Sequence, residues 1–200
     1  MRKTIMLMIA ALLIAAGTAS AADNYAIDPA HSSVNFTVRH LGLSKVHGNF
    51  TDFTGTISYD PRDVTKSAVK VTIKTASINT GNETRDNHLR SPDFFDAVKY
   101  PELTFASEKI TKSKDGFVAQ GTLTMHGVSK KVELPFTLAG PAKGMQGEMR
   151  LAAEAQITLN RQDYGVSWNK ALDAGGVVVG NDVAVEISVE AVQSVESPKQ

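Results

Sequence analysis

Apolar and polar residues alternate with a period of two along most of this chain. Val34, Phe36 and Val38 share one parity, with Asn35, Thr37 and Arg39 on the other. Val69, Val71 and Ile73 alternate with Lys70, Thr72 and Lys74. The same rhythm runs through Val132, Leu134, Phe136 and Leu138, and through Met149, Leu151, Ala153, Ala155, Ile157 and Leu159. It returns in Val183, Val185, Ile187 and Val189. Successive side chains of a strand point to opposite faces, so each run predicts a strand with one apolar face. In 45–59 the parity flips: Val46 and Phe50 are in one phase, Phe53, Ile57 and Tyr59 in the other. That flip predicts a bulge or bend at Thr51 to Phe53.

Eight strands follow, at about 31–40, 45–59, 68–76, 101–111, 117–126, 131–139, 147–159 and 182–193. Short turns join most of them, with Asp115-Gly116 and His126-Gly127 as turn pairs and Gly140 to Gly147 as a longer link. An all-β, up-and-down antiparallel order is the natural outcome. Closing the eight strands into a barrel removes the exposed edges. Two connections are long. A short helical insert is expected at about 77–100, with Asn82 capping a first helix and Ser91-Pro92 opening a second. A Gly-rich loop at about 160–181 holds Trp168, the single tryptophan, and a loop of this length is often a lid.

The N-terminus departs from this pattern. Arg2 and Lys3 precede an apolar run from Ile5 to Ala16, and Ala19 and Ala21 stand at the −3 and −1 places of a cleavage site. These features read as a secretory signal peptide, 1–21, with one domain over 22–200 and an exported, periplasmic product. The apolar run is shorter than the ~20 residues that span a bilayer, so no stable membrane insertion is expected. Taking Arg2 and Lys3 from 21 basic residues leaves 19 against 21 acidic ones, a charge near −2. A chain without a basic face is a poor nucleic-acid ligand. The sequence has no cysteine, which excludes disulfides, thiol catalysis and cysteine-held metals.

An eight-stranded barrel is wide enough to be filled by side chains or to hold one small ligand. The inward parity mixes large residues with small ones such as Ala119, Gly121, Ala153 and Ala155. Both a filled and a hollow interior fit that pattern. The alternating apolar runs quoted above carry no inward charge, so any ligand held among them is apolar and elongated.

The densest chemistry is "TRDNHLRSPDFFD", 84–96. Arg85 and Arg90 are expected to pair with Asp86, Asp93 or Asp96 inside the insert, and Phe94 and Phe95 to anchor it on the barrel. The five histidines are scattered over different elements and none has the i, i+4 spacing of a helical zinc site, so no metal or other cofactor is expected. His40 and His47 flank a strand turn and could approach each other. His31 next to Ser32 and Ser33 is no triad on its own, and no Gly-x-Ser-x-Gly elbow exists.

Four motifs occur in order: "HSSVNFTVRHLGLSKVHGNF", "NETRDNHLRSPDFFDAVKYPELTF", "GTLTMHGVSKKVEL" and "RQDYGV". Together they resemble the YceI family of bacterial polyisoprenoid-binding proteins, over about Tyr25 to Val192. The resemblance implies a lipocalin-like antiparallel barrel, a tunnel for an isoprenoid or similar long-chain lipid, a possible homodimer and no established catalysis. With that reading, the apolar cavity is assigned to Val34, Phe36, Val38, Phe50, Val71, Ile73, Phe105, Leu123, Met125, Phe136, Leu138, Leu151, Ala153, Ala155, Ile157 and Trp168. Arg39 and Arg161 are the head-group candidates. The alternatives are a metal-dependent or other hydrolase, and a filled barrel acting as a protein-interaction module.

Overall fold

The structure, a computed structural model, describes residues 22–171 and 176–194. The proposed signal peptide lies outside the described residues, as does the middle of the Gly-rich loop. The strands are β1 (Asp23–Ile27), β2 (Ser33–His40), β3 (Ser44–Phe50), β4 (Phe53–Tyr59), β5 (Ala68–Lys74) and β6 (Ile78–Asn79). After the helix α1 (Glu83–Arg90) come β7 (Glu102–Ser113), β8 (Gly116–Met125), β9 (Val128–Lys143), β10 (Met149–Asn160) and β11 (Val179–Gln193).

Eight of these strands form a closed antiparallel ring, β1-β4-β5-β7-β8-β9-β10-β11, with β11 returning to β1. The remaining three form an arm, β2-β3-β6, attached to β11. Closure depends on the length of β11. Its last residues, Ala191 to Gln193, pair with β1, while Val179 to Ser188 pair with β2. β1 and β2 thus act as one strand broken by the 3-10 turn Pro29–His31, where Asp28 accepts the Ala30 N–H at 3.1 Å. β3 and β4 are likewise one strand bent at Thr51 and Asp52. The bend is where the parity flips, and it lets both Phe50 (7% exposed) and Phe53 (4%) turn inward. β1 is absent from the sequence-based set of strands, and β9 and β11 are longer than expected.

Two smaller expectations also shift. The β7–β8 turn is Lys114 and Asp115, with Ser113 opposite Gly116, one residue earlier than the Asp115-Gly116 pair. His126-Gly127 does form the β8–β9 turn, with φ of 52° and 74°, as a two-residue turn with both residues left-handed requires.

The insert contains one helix. Asn82 caps α1 by accepting the Arg85 N–H at 3.0 Å. Ser91 terminates α1 rather than opening a second helix: its N–H donates to the His88 carbonyl at 3.1 Å, and its carbonyl accepts from Phe94 and Asp96. Residues 91–95 form turns.

The barrel has two distinct ends. At one, Tyr25, Tyr59, Leu151 and Ala191 form a buried cluster, with the two tyrosine rings edge-on and 6.1 Å apart. At the other, α1, the β2–β3 hairpin, the β8–β9 turn and the loop before β11 come together. The larger core cluster lies between, built on Ile27, Val34, Phe50, Phe53, Ile78, Leu103, Met125 and Tyr164.

Candidate functional site

An apolar cavity of about 280 Å³ runs inside the barrel. That size lies at the lower edge of the ~300–1,000 Å³ typical of small-molecule pockets. Every ring strand contributes its inward parity. Val132, Leu134, Phe136 and Leu138 of β9 and Val183, Val185, Ile187 and Val189 of β11 all line it. These residues are only half-buried, although they face inward. A barrel filled by its own side chains would bury them fully; here their remaining surface faces the cavity. The interior is therefore hollow.

Of the residues assigned to the cavity from sequence, Val34, Phe36, Val38, Phe50, Val71, Ile73, Phe105, Leu123, Met125, Phe136, Leu138, Ala153, Ala155 and Ile157 line it. Leu151 and Trp168 do not. Leu151 has the inward parity but sits at the end where Tyr25 and Tyr59 meet; at 1% exposure it is part of the plug. Trp168 stands one layer behind the wall. Its ring is 5.0 Å from His88 and 5.1 Å from Phe94, and it is Phe94 that reaches the cavity. Parity also offers lining residues that were left unassigned, namely Val132, Leu134, Leu159 and the β11 valines. Parity could not have shown that Leu89, Phe94 and Phe95 close the α1 end. Phe95 meets Phe50 edge-on at 6.2 Å, so the paired phenylalanines both anchor the insert and form cavity wall.

The two head-group candidates are placed differently. Arg39 has the outward parity, is exposed, and donates to the Leu43 carbonyl at 3.2 Å. Arg161 is 5% exposed and contributes to the cavity lining. It donates to the carbonyls of Val166 (2.6 Å), Trp168 (2.9 Å), Gly180 (2.9 Å) and Val179 (3.3 Å). These bonds tie the loop after Tyr164 to the start of β11. Among the described residues no carboxylate balances the charge, and burial pushes the guanidinium pKa below its usual value. The nearby Asp163 faces Lys130 instead, at 3.7 Å.

The charged stretch of the insert is wired differently from expectation. Arg85 donates to Thr80 Oγ1 (2.7 Å) and the Thr80 carbonyl (3.0 Å). Arg90 donates to the Ala76 and Ile78 carbonyls and to Asn87 Oδ1. Neither arginine pairs with Asp86, Asp93 or Asp96. On an eight-residue helix both point back over the segment before it, where strand-end carbonyls need donors. Asp86, 5% exposed, instead accepts from the Thr80 N–H (2.9 Å) and hydroxyl (2.5 Å). Asp93 meets His88 at 2.9 Å.

His40 and His47 do not meet: His47 is opposite Thr37 and bonded to it at 3.0 Å, while His40 is opposite Ser44. Among the described residues, Asp28, His31 and Glu190 have ligand atoms within 4.8 Å of one another. The Arg150 guanidinium sits among them, donating to Asp28 at 3.2 Å and to Glu190. This is an ion-pair network joining β1, β10 and β11 where the ring closes. Ser32 Oγ is committed to the Glu190 backbone, donating to its carbonyl at 3.1 Å and accepting its N–H at 2.9 Å.

Residues 25–191 match the YceI-like domain. Protein YceI of Escherichia coli is 39% identical over 196 residues, covering 96% of this chain and 99% of the relative. The crystal structure of the Campylobacter jejuni YceI protein is 37% identical and superposes with a TM-score of 0.66, covering 78% of this chain and 90% of that one. A polyisoprenoid binding domain from Saccharophagus degradans, implicated in plant cell wall breakdown, shares the fold at 18% identity. Its TM-score is 0.62, with coverage of 85% and 98%.

Proposed function

Since the chain belongs to the YceI-like domain family, we propose that it is a periplasmic carrier holding an isoprenoid or similar long-chain lipid in the barrel cavity. The observation that carries this reading is the cavity wall: among its described residues only Ser67, Tyr59 and Arg161 bear a polar side-chain group. The fold-sharing domain from Saccharophagus degradans is described as polyisoprenoid binding, which agrees with it.

The energetics suit a carrier. An isoprene unit buries five carbons, worth at most ~3–4 kcal/mol at ~0.8 kcal/mol per buried carbon. Eight such units at that rate would pass the ceiling of roughly −18 to −21 kcal/mol seen for non-covalent complexes. Ordering the chain must offset part of the gain, or part of the chain must stay outside. A cavity of about 280 Å³ favours the second for any long lipid. Selection then rests on length and girth, because an apolar tube offers few directional contacts. Acid–base or nucleophilic chemistry needs a reactive pair facing the substrate. Arg161, with four of its N–H groups committed to carbonyls, supplies no base.

Organic extraction and native mass spectrometry of protein purified from cells test the carrier reading. A lipid recovered in about equimolar amount supports it. Recovery of no lipid, together with no uptake of added isoprenoid, refutes it. Periplasmic release is tested by N-terminal sequencing of the exported protein, with Ala22 or Asp23 expected as the first residue. Retention of the leader on a cytoplasmic product would refute export.

A further inference from the structure

The β2–β3 hairpin carries three costs that a closed barrel does not require. Its tip exposes apolar surface: Leu43 is 79% exposed and Leu41 38%. Val177, in the loop that meets the tip through the Leu41 N–H to Val178 carbonyl bond of 2.8 Å, is 44% exposed. The tip is also strained. Leu41 holds φ 55°, a left-handed conformation that suits Gly, Asn or Asp and rarely a branched apolar residue. Finally, Arg39 and Lys45 are direct cross-strand partners, and like charges placed opposite each other repel. Among the described residues, Lys45 has no ion pair and Arg39 bonds only a tip carbonyl.

The cations at this corner are three. Lys170, whose carbonyl accepts the Val178 N–H at 3.1 Å, adds a third cation. The described segments 38–46, 166–171 and 176–181 contain no carboxylate; Asp182 follows directly on β11, on the barrel side of the tip next to Arg39, and Asp173 lies outside the described residues. Strain, exposed apolar groups and cations concentrated at one corner mark a surface built for contact.

We propose that this corner docks on the surface of an anionic lipid bilayer, with Leu41, Leu43 and Val177 entering the interface and Arg39, Lys45 and Lys170 meeting lipid phosphates. A bilayer fits better than a protein partner because the apolar groups stand on a protruding hairpin tip rather than in a groove. Cations flanking inserted apolar groups are the usual composition of an interfacial anchor. The corner is also continuous with the cavity. Val38 and Val179, on the strands that lead away from the tip, both line it. Docking would therefore set the α1 end of the cavity against the membrane.

Flotation of the full protein with phosphatidylcholine vesicles, with and without phosphatidylglycerol, tests the proposal. Binding is expected only when phosphatidylglycerol is present, with release at about 0.5 M salt, where screening is short-ranged. Leu41→Asp with Leu43→Asp is expected to lower partitioning at least ~tenfold, and Lys45→Glu several-fold. Leu43→Ser alone should weaken it in the same direction, and Met145→Asp, at the opposite end, should leave it unchanged. Circular dichroism confirms that each variant is folded. Failure of the wild-type protein to float with either vesicle overturns the proposal. So does wild-type flotation by the double leucine variant. Loss of binding in Lys45→Glu alone, with the leucine variants unaffected, also overturns it, because that pattern belongs to a purely electrostatic contact such as an acidic protein would make. Flotation reads bilayer binding and not cavity occupancy, so its failure is distinguishable from failure of the carrier reading.

Discussion

Replacing Ala153 with phenylalanine places a ring in the cavity at a known position. Ala153 is on β10, opposite Leu138 of β9 and Val189 of β11, and all three line the cavity. The added ring has six carbons, close to the five of one isoprene unit. Displacing one unit removes at most ~3–4 kcal/mol of apolar burial, and half of that realised is more than a tenfold loss. An affinity loss between about tenfold and several-hundred-fold is the expected result. The fold should survive. Overpacking a dense core costs ~1–3 kcal/mol, but here the ring enters open space, so the cost falls at or below the lower limit. For a chain of this length, 1 kcal/mol shifts Tm by ~2–4 °C. The assay is titration with a fluorescent long-chain polyene, competed by unlabelled isoprenoid, on wild type and variant side by side. Thr158→Phe, outward on the same strand, serves as the control and should bind as wild type. A folded Ala153→Phe protein with unchanged affinity would refute the placement of the ligand in the barrel.

Four further outcomes are expected. Arg161→Met leaves the Val166, Trp168 and Gly180 carbonyls without the Arg161 donor, while Val179 keeps Asn169, and should destabilise by ~3–5 kcal/mol in urea unfolding; a loss under ~1 kcal/mol would show that the tie is dispensable. Asn82→Ala removes the cap of α1 and should cost ~1 kcal/mol in the same assay, whereas no change would mean the insert is held by packing alone. Gly121→Val drives a side chain into the Ala106 carbonyl and to 2.9 Å from the Phe105 ring, so soluble yield or Tm should drop sharply; a wild-type Tm would contradict the close approach of β7 and β8. Asp28 is held below its usual 3.8, first by the His31 hydrogen bond and further by the Ala30 N–H and Arg150, and Glu148 is held below 4.5 by Arg150. Depressed carboxylate pKa values give stability that is present above the unfolded values and lost as pH falls through the folded ones. The Tm gap between wild type and Arg150→Met should therefore close as pH falls below about 4, and a gap that persists at pH 2.5 would refute this linkage.

Much of this architecture was legible because a strand's parity is set by backbone geometry alone. The alternating runs located the ring strands from β5 to β11, and the parity flip between Phe50 and Phe53 located the bend that lets one strand serve both the arm and the ring. β1 escaped because Asp23–Ile27 shows just two inward positions, Tyr25 and Ile27, beside an apolar leader that dominates the local pattern. Parity also says nothing about depth along the barrel axis. Leu151 faces inward like Ala153 and Ala155, yet it lies among the converging strands and tyrosines of the plugged end. Trp168 and the insert phenylalanines lie in irregular segments, where no period relates sequence to direction. The arginines of "TRDNHLRSPDFFD" misled for a related reason. Nearby aspartates suggested local ion pairs, whereas the orphan carbonyls around Ile78 and Thr80 were the groups in need of donors. That stretch lies beside the site, and its Phe94 and Phe95 wall the cavity while its charges hold the insert in place.

The central claim is that the barrel holds one lipid chain. Native mass spectrometry of the protein as purified from cells, before and after organic extraction, tests it most directly. The predicted result is a discrete adduct with the mass of a long-chain lipid, one per barrel, lost on extraction, regained with added isoprenoid, and diminished in Ala153→Phe. A bare protein mass from cells that stays bare when isoprenoid is added would contradict it.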